Sequence, residues 1–369
     1  MTDVLLLALS DVSTDARTLN CARTLADAGL QVQVCAAGSG AEEPFHLLRW
    51  IDPGGRAARR WWNFHRFAVR VAPPCRVVAA MDFFALTAAR AIAGKRRPPA
   101  MLYDAREFMF SLGPLQGQGL RQRIIEHIER ICIRRADAVT VSGPLDAAII
   151  AQRYGLPFQP VVVLNTPPNA SIAPTGLLRA ACGVSTNTVL ALYQGVVHHG
   201  RGLAPMMRAM TIETDVHLAV IGDGPALAEL KDMGVHMGLG GRIHWLGSKP
   251  YDELPLWTAG ATIGLTLIEP VSESYRYALP NKFFEFMRVG VPQLVTDLPA
   301  LRAIMEDYPV GVMVSEELSE RQIAEAIRRL RHPETYQAFV GMTKRFPELA
   351  YDAQAHRVID LYTALAEAG

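Results

Sequence analysis

Three stretches of this chain put small residues, cations and a carboxylate at spacings that can hold a phosphorylated ligand. In IGDGPALAELKD (221–232) an apolar run ends in Gly222-Asp223-Gly224. Glycines at the end of a strand let the backbone turn tightly and a ligand come close, and Pro225 suits a first helical turn. In YQGVVHHGRGL (193–203) a strand ends at Gly195, and Arg201-Gly202 lead into a helix. A guanidinium beside a helix N-terminus can hold a phosphate together with the backbone N–H groups. His198 and His199 in that loop lack a third metal-ligating partner at useful spacing and read as loop polar residues. In ALPNKFFEFMRVGVPQLVTD (278–297), Pro280 and Asn281 mark a helix start, with Lys282 in its first turn and Glu285 one turn further on. A lysine there opposes the helix dipole, so it serves a phosphate better than it serves the helix. Glu285 can accept hydrogen bonds from two adjacent ribose hydroxyls. Each stretch also has a plainer reading: a strand-to-helix turn, a polar loop, a surface carboxylate.

The elements that must position these groups follow from the pattern of apolar runs. Short apolar strands are expected at 4–9, 31–37, 76–80, 101–104, 138–142 and 161–164, with helices from Thr14 or Asp15 to Ala28 and near 57–71, 83–94, 119–135 and 143–153. NTPPNASIAPTG (165–176) reads as a linker, rich in Pro, Asn, Ser and Thr. Strands then resume at 188–194, 216–221, 242–246, 261–267, 292–296 and 310–314, and helices close the chain from 319 onward. Strand and helix in alternation imply right-handed crossovers and parallel sheets covered on both faces. The expected architecture is α/β, two doubly wound halves with a cleft between them. All three motifs fall where a strand gives way to a helix, so they gather at one edge of one sheet. A phosphate cradle, a ribose clamp and a close-approach loop together favour a nucleotide diphosphate.

Composition removes several classes. Lys+Arg is 37 against Asp+Glu 36, a balance that argues against a dedicated nucleic-acid binder. Cys21, Cys35, Cys75, Cys132 and Cys182 are isolated and odd in number, which gives neither a disulfide framework nor a zinc site. MTDVLLLALSDV lacks the basic flank of a signal peptide, and the apolar window 77–94 carries Asp82 and Arg90, too polar to span a bilayer. No G-x-x-x-x-G-K-[ST] is present and no G-x-G-x-x-G opens the N-terminal half. GGRAARRWWNFHRFAVRV (54–71) sets five arginines among Trp61, Trp62, Phe64 and Phe67. Such a helix suits an anionic membrane surface or a lipid-linked acceptor, or else simply buries its aromatics in a core.

At these residues the chain resembles the retaining GT-B glycosyltransferases of the large family four. IGDGP…L followed by RIHWLGSKPYDELPLW resembles that family's "viGdGp…L…v.flG.v…el..ly", and LPNKFFEFMRVGVPQLVTD is similar to the donor helix of an "LPNK…E" subgroup. In the N-terminal half, SDVSTDARTLNCARTLADAGLQVQV, YDAREFM and RRADAVTVSGPL resemble "D.Rv…A.aLa.aGh.V.v", "yDaHE" and "radavitvs…l". The resemblance implies a GT-B fold of two Rossmann-like domains, an acceptor domain at 1–168 and a donor domain at 169–348, with a C-terminal helix at 349–369 packing back toward the first.

It also implies a retaining, metal-independent, hexosyltransferase-like enzyme that moves a sugar from a nucleotide-diphosphate sugar, UDP or GDP favoured, to a hydroxyl of a glycan, a lipid-linked or another acceptor. No cofactor or metal is expected beyond that co-substrate. The expected setting is cytoplasmic, at the inner face of the membrane, with peripheral contact through 54–71 and no nucleic-acid partner. Carried over by position, Glu285 binds the donor ribose, Gly195, Gly222, Asp223 and Gly224 lie against the nucleotide, Leu246 within 244–250 flanks the base, and Asn281 and Lys282 meet the diphosphate. Arg201 takes the place of a phosphate-binding cation, and Arg201, Lys282 and Arg106 are the expected catalytic groups. Asp11, Asp15, Arg17, Asp82 and Glu107 are acceptor-side candidates. The chain departs from the family at Tyr277, where a second glutamate often stands, at Val196, where an arginine follows the glycine, and at Arg106, which replaces a histidine. The competing expectations are a catalytically degenerate GT-B subunit that binds a partner or donor, and a sugar-nucleotide epimerase of the same architecture.

Overall fold

The computed structural model describes residues 2–38, 43–94, 99–111, 118–173 and 175–368. Pro174 of the linker, and the end residues Met1 and Gly369 of the expected domains, lie outside them. The chain divides into two units, one of residues 1–165 with 351–369 and one of 166–350.

The first unit is a seven-stranded sheet built from β1 (Thr2–Asp11), β2 (Val32–Ala37), β3 (His46–Arg49), β4 (Cys75–Ala80), β5 (Ala100–Ala105), β6 (Ala138–Val141) and β7 (Val161–Val162). Their order is β3-β2-β1-β4-β5-β6-β7 and every pairing is parallel. The central strand β1 is fully buried from Val4 to Ala8, as a strand covered on both faces must be. The crossovers are α1 (Ala16–Asp27), α2 (Ala57–Val71), α3 (Phe83–Ala93), α4 (Gly119–Ile133) and α5 (Pro144–Tyr154). Asp15 caps α1 by accepting the Thr18 N–H at 3.1 Å, and Asp82 caps α3 by accepting the Ala85 N–H at 3.0 Å. The edge strand β3 has no counterpart among the expected strands. Its sequence, HLLR, is bounded by exposed polar residues and offers only two half-buried leucines.

The second unit is a six-stranded parallel sheet of β8 (Val189–Gln194), β9 (Val216–Ile221), β10 (Ile243–Gly247), β11 (Ile263–Thr266), β12 (Gln293–Thr296) and β13 (Gly311–Val314), in the order β10-β9-β8-β11-β12-β13. Its helices are α6 (Leu177–Cys182), α7 (Leu203–Ala209), α8 (Leu227–His236), α9 (Leu254–Thr258), α10 (Glu273–Arg276), α11 (Asn281–Arg288), α12 (Pro299–Asp307), α13 (Glu320–Arg331) and α14 (Pro333–Thr343). Pro225 falls in the turn ahead of α8 rather than in its first helical turn, because the helix opens only at Leu227. The last helix, α15 (Tyr351–Ala368), belongs to the first unit: Tyr351, Val358 and Tyr362 pack with Cys21, Ala22 and Leu25 of α1 over Val4, Leu6 and Val77. No described helix is long and apolar enough to cross a membrane. Among the described residues no disulfide forms and no group of three or more His, Cys, Asp or Glu is placed to hold a metal ion.

Candidate functional site

In the second unit, β8 ends in Tyr193-Gln194 and Gly195 follows, and each of these consecutive residues touches a different motif. The Tyr193 ring lies 3.9 Å from the Lys282 Nζ, and its hydroxyl donates to the Val196 carbonyl at 2.6 Å. Gln194, 1% exposed, donates from Nε2 to Glu285 Oε2 at 2.5 Å and accepts from Thr258 Oγ1 at 2.8 Å. Gly195, at φ 121°, gives its N–H to the Ile221 carbonyl at 3.0 Å, beside Gly222.

The glycines of 222–224 first serve loop against loop. A Cβ on Gly222 would stand 1.9 Å from the Gly195 carbonyl oxygen, and one on Gly224 would stand 2.4 Å from that of Val197. The Val197 N–H donates to the Asp223 carbonyl at 2.9 Å and the Ala226 N–H to the Val197 carbonyl at 3.1 Å. Side chains at either glycine would push the 195–197 loop off the sheet edge. Asp223 is exposed and accepts the Gly224 N–H at 2.6 Å. Leu246 packs with Leu254 and Trp257 against the core that holds Phe286.

The cations here have few anions to meet. Lys282 is buried, yet its Nζ has no hydrogen-bond partner among the described residues. Burial first, then the Arg201 charge, push its ammonium well below the ordinary lysine range, with Glu285 pulling the other way. The Arg201 guanidinium lies over the Tyr275 ring, 4.5 Å from its centroid. Glu285 is half-buried and faces a small cavity lined with Tyr251, Leu254, Pro255, Thr258 and Arg288. Burial raises its carboxyl against the Gln194 hydrogen bond and the Lys282 and Arg288 charges. Asn281 is exposed at the start of α11, and Tyr277 is half-buried at the end of α10. Tyr193 and Gln194 thus hold Lys282 and Glu285 at the end of β8, while Arg201 rests on Tyr275. Neither Tyr193 nor Gln194 stood among the sequence candidates. The signal for them was a glutamine and a tyrosine at the last positions of an apolar strand.

The first unit treats its charges differently. Arg17 is 6% exposed and turned inward: Nε and Nη2 bond Asp104 at 2.7 and 2.6 Å, and Nη1 bonds the Val163 carbonyl at 2.7 Å. Arg106 bonds Asp104 at 2.9 Å, both Asp15 oxygens at 2.9 Å and Thr18 Oγ1 at 2.8 Å. Thr140 adds its hydroxyl to Asp104 at 2.7 Å. Burial alone would raise the Asp104 carboxyl, but Arg17 and then Arg106 hold it well below the usual range. Asp82 is pushed up to about 6 by burial, against the pull of Arg106. Asp11 is exposed and accepts the Ser13 N–H and hydroxyl at 2.9 and 2.6 Å, and Glu107 is exposed just past β5. Asp104, the hub of this cluster, was not among the sequence candidates, because the apolar run of β5 hides it.

Two family descriptions match the chain: "Glycosyl transferase 4-like domain" over residues 14–167 and "Glycosyl transferases group 1" over residues 192–332. No curated relative matches in a sequence search. Among solved structures, sucrose-phosphate synthase from Thermosynechococcus elongatus superposes with a TM-score of 0.81 at 14% identity, covering 100% of both chains. Anabaena HepE in complex with UDP and glucose superposes at 0.74 with 14% identity, over 100% of this chain and 99% of that one. WaaG, a glycosyltransferase involved in lipopolysaccharide biosynthesis, superposes at 0.73 with 15% identity, over 98% and 99%.

Proposed function

As this chain belongs to the GT-B glycosyltransferases, we propose that it transfers a sugar, with retention, from a nucleotide-diphosphate sugar to an acceptor hydroxyl, the donor nucleotide lying at the end of β8. One observation carries the donor part of the reading: a buried lysine ammonium without a partner, facing Arg201 and one turn of helix from a carboxylate in a cavity. A buried amine is costly unless an anion joins it. A diphosphate supplies that anion, and Lys282 and Arg201 then stabilise the charge that develops as the sugar leaves. Glu285, held by Gln194, accepts the two ribose hydroxyls. Asn281 meets the diphosphate at the N-terminus of α11, Tyr277 stands toward the sugar, and Gly195, Gly222, Asp223, Gly224 and Leu246 border the nucleotide. With two protein cations in this role, the reaction runs without a metal ion.

UDP is the favoured nucleotide, in line with HepE, which was solved with UDP. The first unit carries the acceptor side, with Arg106, Asp11, Asp15, Asp82 and Glu107 at or beyond its strand ends. The acceptor is a glycan or lipid-linked hydroxyl, and α2 gives peripheral contact with an anionic membrane at its cytoplasmic face. Isothermal titration with UDP and UDP-glucose tests the donor reading. Binding that is lost in Glu285→Ala and Lys282→Met supports it, and binding that survives both overturns it.

A second reading is a subunit that binds donor without turnover. It is favoured by Val196, 58% exposed where the family carries an arginine, and by the engagement of Arg106 with two aspartates. Product analysis separates the readings: transfer to an acceptor, donor converted without acceptor as an epimerase would do, or donor bound and unchanged.

A further inference from the structure

In the first unit, the exposed apolar side chains collect on one side. Ile51, Trp62, Phe84, Leu120, Ile124 and Ile131 are the large hydrophobics more than a third exposed among its described residues. They come from α2 and the loop before it, from α3 and from α4. None comes from α1, α5 or α15. Helices α2 and α4 both pack on α3. The core formed with α1 and α15 takes Val4, Leu6, Val77 and Ala79, one alternate set of strand residues, so α3 and its neighbours cover the opposite face.

The charges on that side are of one sign. On α2, Arg59, Trp62, Arg66 and Arg70 are exposed at helical spacing, and no Asp or Glu occurs anywhere from 53 to 81. Arg60 alone turns aside, to Asp52. On α4, Leu120, Ile124 and Ile131 form a stripe, with exposed Arg123, His127 and Arg134 along one flank. The two acids of α4 are withdrawn from it. Glu129 is buried on Tyr103 and Tyr154, and Glu126 is held by Arg130 and Arg153.

We infer that α2 and α4 together form one docking face for an anionic phospholipid surface, with Trp62, Ile124 and Ile131 entering the acyl boundary and the arginines meeting lipid phosphates. Exposed apolar groups mixed with basic ones, and free of acids, fit that boundary. A second copy of this chain fits poorly, since a two-fold contact through this face would set arginine against arginine. The inference extends the membrane part of the proposed function from α2 to a second helix and does not depend on the donor site.

The test is sedimentation of the full chain with vesicles of phosphatidylcholine alone or with a third phosphatidylglycerol. Binding is expected only with the anionic lipid, falling as salt rises. Each of Arg66→Glu and Arg70→Glu is expected to lower partitioning about fivefold or more, from the loss of one near-surface cation. The decisive variant is Ile124→Glu/Ile131→Glu, expected to lower it about tenfold or more with circular dichroism and UDP titration unchanged. Equal binding to both vesicles, full binding by the α4 variant, preference for duplex DNA over vesicles, or a dimer that the α4 variant dissociates would each overturn the inference. Failure of UDP to bind the wild type would instead count against the donor reading and leave the vesicle result standing.

Discussion

Two sheet ends in this molecule are built from the same parts and use them in opposite ways. At the end of the first sheet, Arg17 and Arg106 meet Asp104 and Asp15 in an ion-paired cluster that also takes up Thr18 and Thr140. At the end of the second, Lys282 and Arg201 lie over the rings of Tyr193 and Tyr275, with no carboxylate among the described residues hydrogen-bonded to the Lys282 amine. Paired charges in a low-dielectric interior hold a structure in register. Cations resting on aromatic faces are kept near a position that an anion can later take. The contrast separates a sheet end whose charges are paired from one where, among the described residues, a buried amine has no hydrogen-bond partner.

The largest effect expected from breaking this contrast is at Asp104. Asp104→Ala leaves Arg17 buried without its counter-ion, and urea denaturation should show a loss of about 3–5 kcal/mol. Because the folded Asp104 carboxyl lies below its ordinary 3.8, its contribution is present above that value and is lost as pH falls below it. A double variant, Arg17→Met/Asp104→Leu, should recover most of the loss, since both charges leave together.

At the other sheet end the same kind of change should act in two directions. Lys282→Met is expected to weaken UDP binding by about 10- to 100-fold, as the loss of a charge-assisted contact does. It should also stabilise the unliganded protein by about 1 kcal/mol or more, since a buried amine without a partner disappears. The folded amine binds its proton more weakly than the unfolded one, so wild-type stability rises with pH up to the ordinary lysine value of 10.5. Lys282→Met should flatten that rise in melts taken across pH. A lysine that stabilises the free protein would remove the distinction between the two ends. Glu285→Ala should lower UDP affinity to a similar or smaller extent, about 10-fold or more, and Glu285→Gln less.

Much of this was legible in the order of residues. The strand–helix alternation, the span of α2 and the gathering of 201, 222–224, 282 and 285 at one edge follow from apolar periodicity and from where strands must end. Three things did not follow. β3 is too short and too polar at its ends to show a period. Tyr193 and Gln194 belong to an apolar run, and only the geometry shows that they reach out of it to Lys282 and Glu285. Arg17 stood as an acceptor-side candidate, and its inward turn was hidden because its partner Asp104 is 87 residues away and long-range pairing leaves no mark on local sequence.

The smallest expected effect refines the comparison within the first unit. Asp82 lies beside the Arg106 cluster, yet no hydrogen bond joins it to Arg106 among the described residues. It caps α3, and burial pushes its carboxyl up to about 6 despite the nearby guanidinium. A carboxyl whose folded pKa is raised stabilises fully below its unfolded value of 3.8, and that contribution is lost as pH rises through about 6. At neutral pH the ionised group is therefore a mild liability, and its partial exposure keeps the cost small. Asp82→Asn keeps a side-chain oxygen for the Ala85 N–H and removes the charge. Thermal melts should show a gain of about 1 kcal/mol at pH 7.5 that shrinks as pH falls through about 6 and vanishes only below 3.8. A loss at pH 7.5 would mean that Asp82 acts as a counter-ion to Arg106, and the paired cluster would then extend to a third aspartate.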